Sequence, residues 1–149
     1  MKTVKREIVS AVIISSDKKI LMGQALPGGV YPDCWHIPGG GVEENESKIE
    51  ATIREINEET GIDISHYPIE LLNDTDSGIA EKTDRVTGEK YLVNMHFNDY
   101  KVEIPLPASN ISFSPGDDLQ NCRWISITDL KNYKLTPPSI KYFKSVGWI

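Results

Sequence analysis

Apolar residues fall into short, dense runs separated by turn-forming segments, and their spacing predicts alternating strands and helices. Ile8–Ile14 is rich in β-branched residues and predicts a buried strand, which Ser16-Asp17-Lys18-Lys19 turns back into a second strand at Ile20-Leu21-Met22. Residues 25 to 34 carry Pro, Gly and Asp and predict a loop. A short strand follows at Trp35-His36-Ile37, and Pro38-Gly39-Gly40-Gly41 interrupts regular structure. Ile69–Leu72 and Tyr91–Phe97 predict two strands, joined by a long polar, hairpin-like excursion containing Thr87-Gly88-Glu89. Tyr100–Ile104 extends the second of them. Ser114–Asp118 predicts a loop, Arg123-Trp124-Ile125 a strand and Ile127–Tyr133 a short helix or turn. Pro137-Pro138 introduces a last helix over about Ser139–Val146.

The best-marked helix lies in the middle of the chain. Ser47-Lys48-Ile49-Glu50 is a capping box, in which hydroxyl and carboxylate satisfy free N–H groups of the first turn, and Gly61 is the expected stop. Ile49, Ile53 and Ile56 predict one apolar stripe. Glu55, Glu58 and Glu59 stand at i, i+3 and i+4, so they share a face that this pattern places away from the stripe. Like charges at this spacing repel by about a few tenths of a kcal/mol per pair, and near a helix C-terminus the macrodipole adds to the cost. Folding alone does not ask for such a cluster. A hard divalent cation does, and the three-glycine loop just ahead offers backbone groups to a metal or a phosphate.

The bulk properties narrow the choice. A chain of 149 residues with 39% apolar content suits one domain with a real core, expected to span residues 1–149. A net charge of −6 argues against a nucleic-acid surface, while leaving room for an anionic small molecule bound through cations. Two cysteines, Cys34 and Cys122, make neither a disulfide framework nor a zinc site, which favours a reduced, cytoplasmic setting. Ile8–Ile14 is too short for a signal peptide after Lys2, Lys5 and Arg6, and no run is long enough to cross a membrane.

Gly40, then Glu46, then Arg54-Glu55-Ile56-Asn57-Glu58-Glu59-Thr60-Gly61-Ile62 resembles a complete Nudix box, with nine defined positions filled over 23 residues. Trp35-x-Ile37-Pro38-Gly39-Gly40 is similar to the segment that leads into such boxes. The resemblance implies an α/β/α sandwich with a mixed β-sheet. It also implies a Mg²⁺-dependent hydrolase, with Mn²⁺ able to substitute, that cleaves a diphosphate bond in a nucleotide-like substrate. Glu55, Glu58 and Glu59 would bind metal, with a backbone carbonyl from the Gly40 region, and Glu58 would also activate the attacking water. Arg54 and Glu46 would orient these carboxylates, although the same pair also reads as a surface salt bridge. Homodimers occur among similar proteins, yet no residue here decides the point.

Outside the box the candidates thin out. A later acidic residue often joins such sites, and Asp118, beside Asp117 in the loop before Trp124, is the first choice, ahead of Glu81, Glu89 and Glu103. Tyr31, Trp35, His36 and Gly39 lie on or beside the glycine loop and are candidates for substrate contact, the aromatic rings by stacking on a base. His66 and His96 have no ligand-like spacing, and Lys82, Arg85 and Lys90 suit a solvated loop. The first functional reading is a nucleoside triphosphate pyrophosphohydrolase, its candidate targets including oxidised nucleotides. ADP-ribose or a nucleotide sugar comes second. A catalytically silent nucleotide sensor and a structural metal-binding domain are rivals from other classes.

Overall fold

The structure, a computed structural model, describes residues 1–28 and 31–149; Gly29 and Val30 of the predicted 25–34 loop lie outside the described residues. Its centre is β1 (Thr3–Ile14), which runs parallel to β7 (Lys90–Glu103) from Thr3 beside Leu92 to Ile14 beside Glu103. The other edge of β1 meets β4 (Gly39–Gly41) and, at Ile14, β2 (Lys19–Ala25). β2 carries β8 (Leu119–Ser126) and the two-residue β3 (Trp35–His36). Beyond β7 lie β5 (Glu70–Asn73) and β6 (Ser77–Thr83), both antiparallel to it. The sheet is therefore mixed.

Alternation along β1 divides the interior into two cores. Val9, Ala11 and Ile13 face α1 (Lys48–Thr60) in a cluster completed by Leu21, Ile56, Ile64 and Val102. Val12 and Ile14 face the opposite side, where Ile20, Met22, Tyr142 and Phe143 pack with α2 (Pro137–Ser145). This is the α/β/α sandwich expected from the sequence, with a helix on each face of the sheet.

Several elements differ from their sequence pattern, each for a physical reason. β1 begins at Thr3 rather than Ile8, because its polar first half is held by backbone pairing with β7 instead of by burial. Tyr91–Phe97 and its predicted extension Tyr100–Ile104 do form one strand, β7. The polar excursion before it contains β6, an edge strand closed by a turn in which Gly88 takes φ +73°. The glycine run at 39–41, expected to be irregular, is a strand, since glycines give no hydropathy signal and here permit close approach. A Cβ on Gly39 would lie 2.0 Å from the Val9 carbonyl oxygen.

The predicted stripe of α1 needs correcting. Its capping box and left-handed Gly61 are as expected, but the buried residues are Ala51, Thr52, Ile56 and Thr60, while Ile49 is 39% exposed. Small side chains at 51 and 52 bring the helix close to the sheet and rotate the contact line away from Ile49. The two threonine hydroxyls donate to the carbonyls of Lys48 and Ile56, both at 2.7 Å, so their burial leaves no unpaired donor. Among the described residues no helix is long and apolar enough to cross a membrane.

Ile56→Ala should cost roughly 2–5 kcal/mol, whereas Ile49→Ala should cost less than about 1 kcal/mol. Urea denaturation midpoints of the two variants check this, and a similar loss from both would restore the stripe read from spacing alone.

Candidate active site

The C-terminal end of α1 is held by backbone hydrogen bonds from the loop that precedes β8. The N–H groups of Gly116 and Ser114 donate to the carbonyls of Glu59 and Thr60, at 2.9 and 2.8 Å, satisfying acceptors that the helix end would leave open. Gly116 has no alternative: a Cβ there would come 2.3 Å from the Glu58 carbonyl oxygen. This packing brings the 114–118 loop beside the acidic face, and the charge of Asp118 acts on Glu59.

The three carboxylates do not stand together in solvent as the spacing suggests. The side chain of Glu55 is only 15% exposed, against 58% for Glu58. Glu55 lies against Gly40, where a Cβ would be 2.4 Å from its Oε2, so the strand glycine makes room for the carboxylate. Glu59 accepts from the Gly39 N–H at 3.3 Å. Burial pushes Glu59 up to about 8, against the effect of that hydrogen bond, and the charges of Glu55, Asp118 and Glu58 push it further. Burial also raises Glu55, opposed by Arg54.

Arg54 joins most of these groups. Its Nε and Nη2 donate to the two oxygens of Glu46 at 2.7 and 2.8 Å, Nη1 donates to Glu55 at 2.9 Å, and Nη2 also reaches the Gly41 carbonyl at 3.0 Å. Glu58 is held more loosely, at 3.3 Å. The bidentate grip, followed by the Glu43 N–H, holds the Glu46 carboxyl near 2. The arginine in turn is held above its ordinary value, first by Glu46. With side chains only 23% and 14% exposed, Arg54 and Glu46 are more than a solvated surface pair.

These residues fit a hard divalent cation. The donors are all oxygens, and among the described residues the desolvated Glu59 has no ion pair. No three acidic, histidine or cysteine side chains are already gathered as a coordination set among the described residues. Glu55 and Glu58 are instead turned toward Arg54.

Beside this edge lies a cavity of about 510 Å³ that reaches Gly39 and Gly40. Its walls come from β1, the β6–β7 hairpin and the start of α2, with Ile8, Ile79, Met95, Phe97 and Pro138 supplying apolar surface. Of the candidates for substrate contact, Tyr31, His36 and Gly39 line it. His36 donates from Nδ1 to the Ile37 carbonyl at 3.0 Å, leaving Nε2 as an acceptor, and burial lowers its pKa. Trp35 is placed elsewhere: it is 6% exposed in the α2-side core, edge-on to Tyr133 at 5.6 Å with Arg123 over its ring. Alternation along β3 turns one aromatic side chain to the cavity and the other to the core. Glu81 pairs with Lys90 at 3.6 Å and Glu103 with Lys101 at 3.4 Å on other parts of the sheet, away from α1. Sequence reading missed Ser10, Asp99 and Tyr142, all on the cavity wall. No sequence signal singled them out, since Asp99 stands in β7 beside Asn98 and close to Lys101 and Glu103.

The NUDIX domain model matches residues 4–146. An RNA pyrophosphohydrolase from a Nitratiruptor species is 34% identical, with 96% of each chain covered. The 8-oxo-dGDP phosphatase NUDT18 of Danio rerio is 37% identical over 70% of this chain, a match that spans only 35% of that protein's length. Among solved structures, a MutT from work on Aliivibrio salmonicida and Vibrio cholerae superposes with a TM-score of 0.69 at 22% identity, covering 95% of this chain and 96% of the other. The chain belongs to the Nudix family and is a Nudix hydrolase. Nudix hydrolases in general use divalent metal ions.

The Glu59 carboxyl gives a pH signature. Its folded pKa, about 8, lies above the ordinary 4.5, so its contribution to stability is full below ~4.5 and is lost as pH rises through ~8. In EDTA the melting temperature should fall between those limits, and Glu59→Gln should flatten the slope. An unchanged slope in the variant would show that Glu59 is not the group responsible.

Proposed function

We propose that the chain hydrolyses a diphosphate bond in a nucleoside diphosphate linked to another group, a nucleoside triphosphate being the first substrate class, with Mg²⁺ as the natural ion and Mn²⁺ as a substitute. The observation that carries this reading is the junction of two features: an Arg54-ordered carboxylate face and a nucleotide-sized cavity that share Gly39 and Gly40. The names of the two relatives, one an RNA pyrophosphohydrolase and the other an 8-oxo-dGDP phosphatase, place nucleotide phosphates among those proteins' substrates. The net charge of −6 favours a free nucleotide over a nucleic acid. A cytoplasmic setting goes with the two buried, free cysteines.

Glu55 and Glu59, with backbone oxygen from the glycine strand and Asp118 from the neighbouring loop, would hold the metal. The bound ion supplies charge neutralisation at the phosphate oxygens and a lowered pKa for water. Glu58 is the most accessible of the three helix carboxylates and is held by Arg54 more loosely than Glu55 is, which suits a group that takes a proton from water and releases it. Arg54 keeps Glu55 and Glu58 from drifting apart or repelling into solvent, and Glu46 fixes Arg54 from the other side. The protein's part is thus positioning and electrostatics. Three carboxylates on one helix face, two of them ordered by Arg54, exceed what a silent binding module needs.

Purified protein incubated with Mg²⁺ and ordinary or oxidised nucleoside triphosphates, ADP-ribose and nucleotide sugars should release a nucleoside monophosphate, read by mass. EDTA should abolish turnover, and Glu58→Gln should lower kcat by roughly two to four orders of magnitude without changing the melting temperature by more than a few degrees. Near-normal turnover in Glu58→Gln removes Glu58 from the proton-transfer role. A folded protein inactive on the whole panel would overturn the hydrolytic reading for these substrates.

A further inference from the structure

The deep end of the cavity holds two polar groups that the metal-binding edge does not use. Asp99 on β7 is 9% exposed, and one of its oxygens accepts from Ser10 Oγ at 2.8 Å. Tyr142 on α2 is 4% exposed and its hydroxyl has no hydrogen-bond partner among the described residues. Both line the same cavity, and the charge of Asp99 is felt by the Tyr142 phenol, which burial and that charge together push up to about 12. The nearby cation, Lys141, is engaged by Asp76 at 3.0 Å, so among the described residues Asp99 has no ion pair.

A buried carboxylate with a single hydrogen bond, next to a buried hydroxyl with none, is costly unless a ligand completes both. The carboxylate has lone pairs to spare and accepts only; the hydroxyl can donate. The missing ligand edge therefore presents N–H donors beside an acceptor. Among the common bases only guanine carries two adjacent N–H donors, at N1 and N2, next to a carbonyl oxygen. Adenine would set its ring N1 lone pair against the carboxylate, and uracil offers one N–H between two carbonyls. Cytosine has one amino group followed by two acceptors. Ile8, Met95 and Phe97 border the same space and suit a flat ring system.

We propose that Asp99, oriented by Ser10, and Tyr142 are the specificity-determining residues of this cavity and select a guanine base, Asp99 accepting from N1–H and N2–H and Tyr142 donating to O6. This rests on the cavity being the nucleotide site of the hydrolytic reading above, and it fixes the base that reading leaves open. Ser10 is a positioning residue, since it acts through Asp99.

Calorimetric titration of the full chain in EDTA with the monophosphates of guanosine, inosine, adenosine and uridine tests the assignment without depending on turnover. Guanosine monophosphate should bind at least about tenfold tighter than the adenosine compound. Inosine monophosphate, which lacks the N2 amino group, should fall between them, a comparison that needs no variant. Asp99→Asn replaces two acceptors by one acceptor and one donor and should turn the preference toward adenosine. Tyr142→Phe should weaken guanosine binding several-fold while leaving adenosine binding unchanged. Equal binding of the guanosine and adenosine compounds by the unaltered protein, or a guanosine preference that survives Asp99→Asn, would overturn the proposal. Hydrolysis of nucleoside triphosphates, assayed separately with Mg²⁺, keeps the two readings apart. Turnover without guanine preference defeats this inference alone, and guanine preference without turnover defeats only the hydrolytic one.

Discussion

Arg54 is the point on which the acidic edge of this protein turns. Five acidic side chains, Glu43, Glu46, Glu55, Glu58 and Glu59, crowd the start and the later turns of α1, and the guanidinium pairs with the first four. Its planar fork can grip Glu46 with two donors and still reach Glu55 and the Gly41 carbonyl with others, which a lysine ammonium cannot do. Without it, half-buried carboxylates would face one another across a few ångströms in a partly desolvated setting, where repulsion is stronger than in water. The helix, the glycine strand and the loop before β8 are all arranged around that constraint.

Glu59 is the member that Arg54 does not reach. Its one hydrogen bond, from the Gly39 N–H, does not offset burial, and its raised pKa records the imbalance. A structural helix would be more stable with glutamine there. The carboxylate makes physical sense when a cation compensates it, so in the proposed metal site it would trade stability of the metal-free protein for affinity toward the ion. The same logic applies at the other end of the cavity. Asp99 and Tyr142 are incompletely satisfied among the described residues, and the proposed guanine edge would supply what they lack. The glycines connect the two ends. Gly40 leaves room for Glu55, the Gly39 N–H donates to Glu59, and both glycines border the cavity, so a bound molecule can span both ends.

Local sequence determined the features that depend on neighbours along the chain. The capping box and αL glycine of α1, the buried run in β1 and the order of strands and helices were legible because each is set by a few consecutive residues. The spacing of the acidic box was legible too, since any helix places i, i+3 and i+4 together. Spacing did not reveal how deep each carboxylate would lie. That depth came from Ala51 and Thr52 letting the helix settle on the sheet, and from Gly40 leaving space for Glu55.

Tertiary structure alone decided what joins residues far apart. The strand at Gly39–Gly41 exists because β1 lies beside it, and glycine has no side chain by which a pattern could announce it. Ser10 and Asp99, 89 positions apart, meet because β1 and β7 are paired in parallel with those two residues in register. Tyr142 joins them from α2 across the cavity, while Trp35, adjacent in sequence to the cavity-lining His36, is turned away from the cavity into the α2-side core. Periodicity specifies that a side chain is buried or exposed; which partners it meets there is fixed by strand register and helix packing, which are properties of the whole chain.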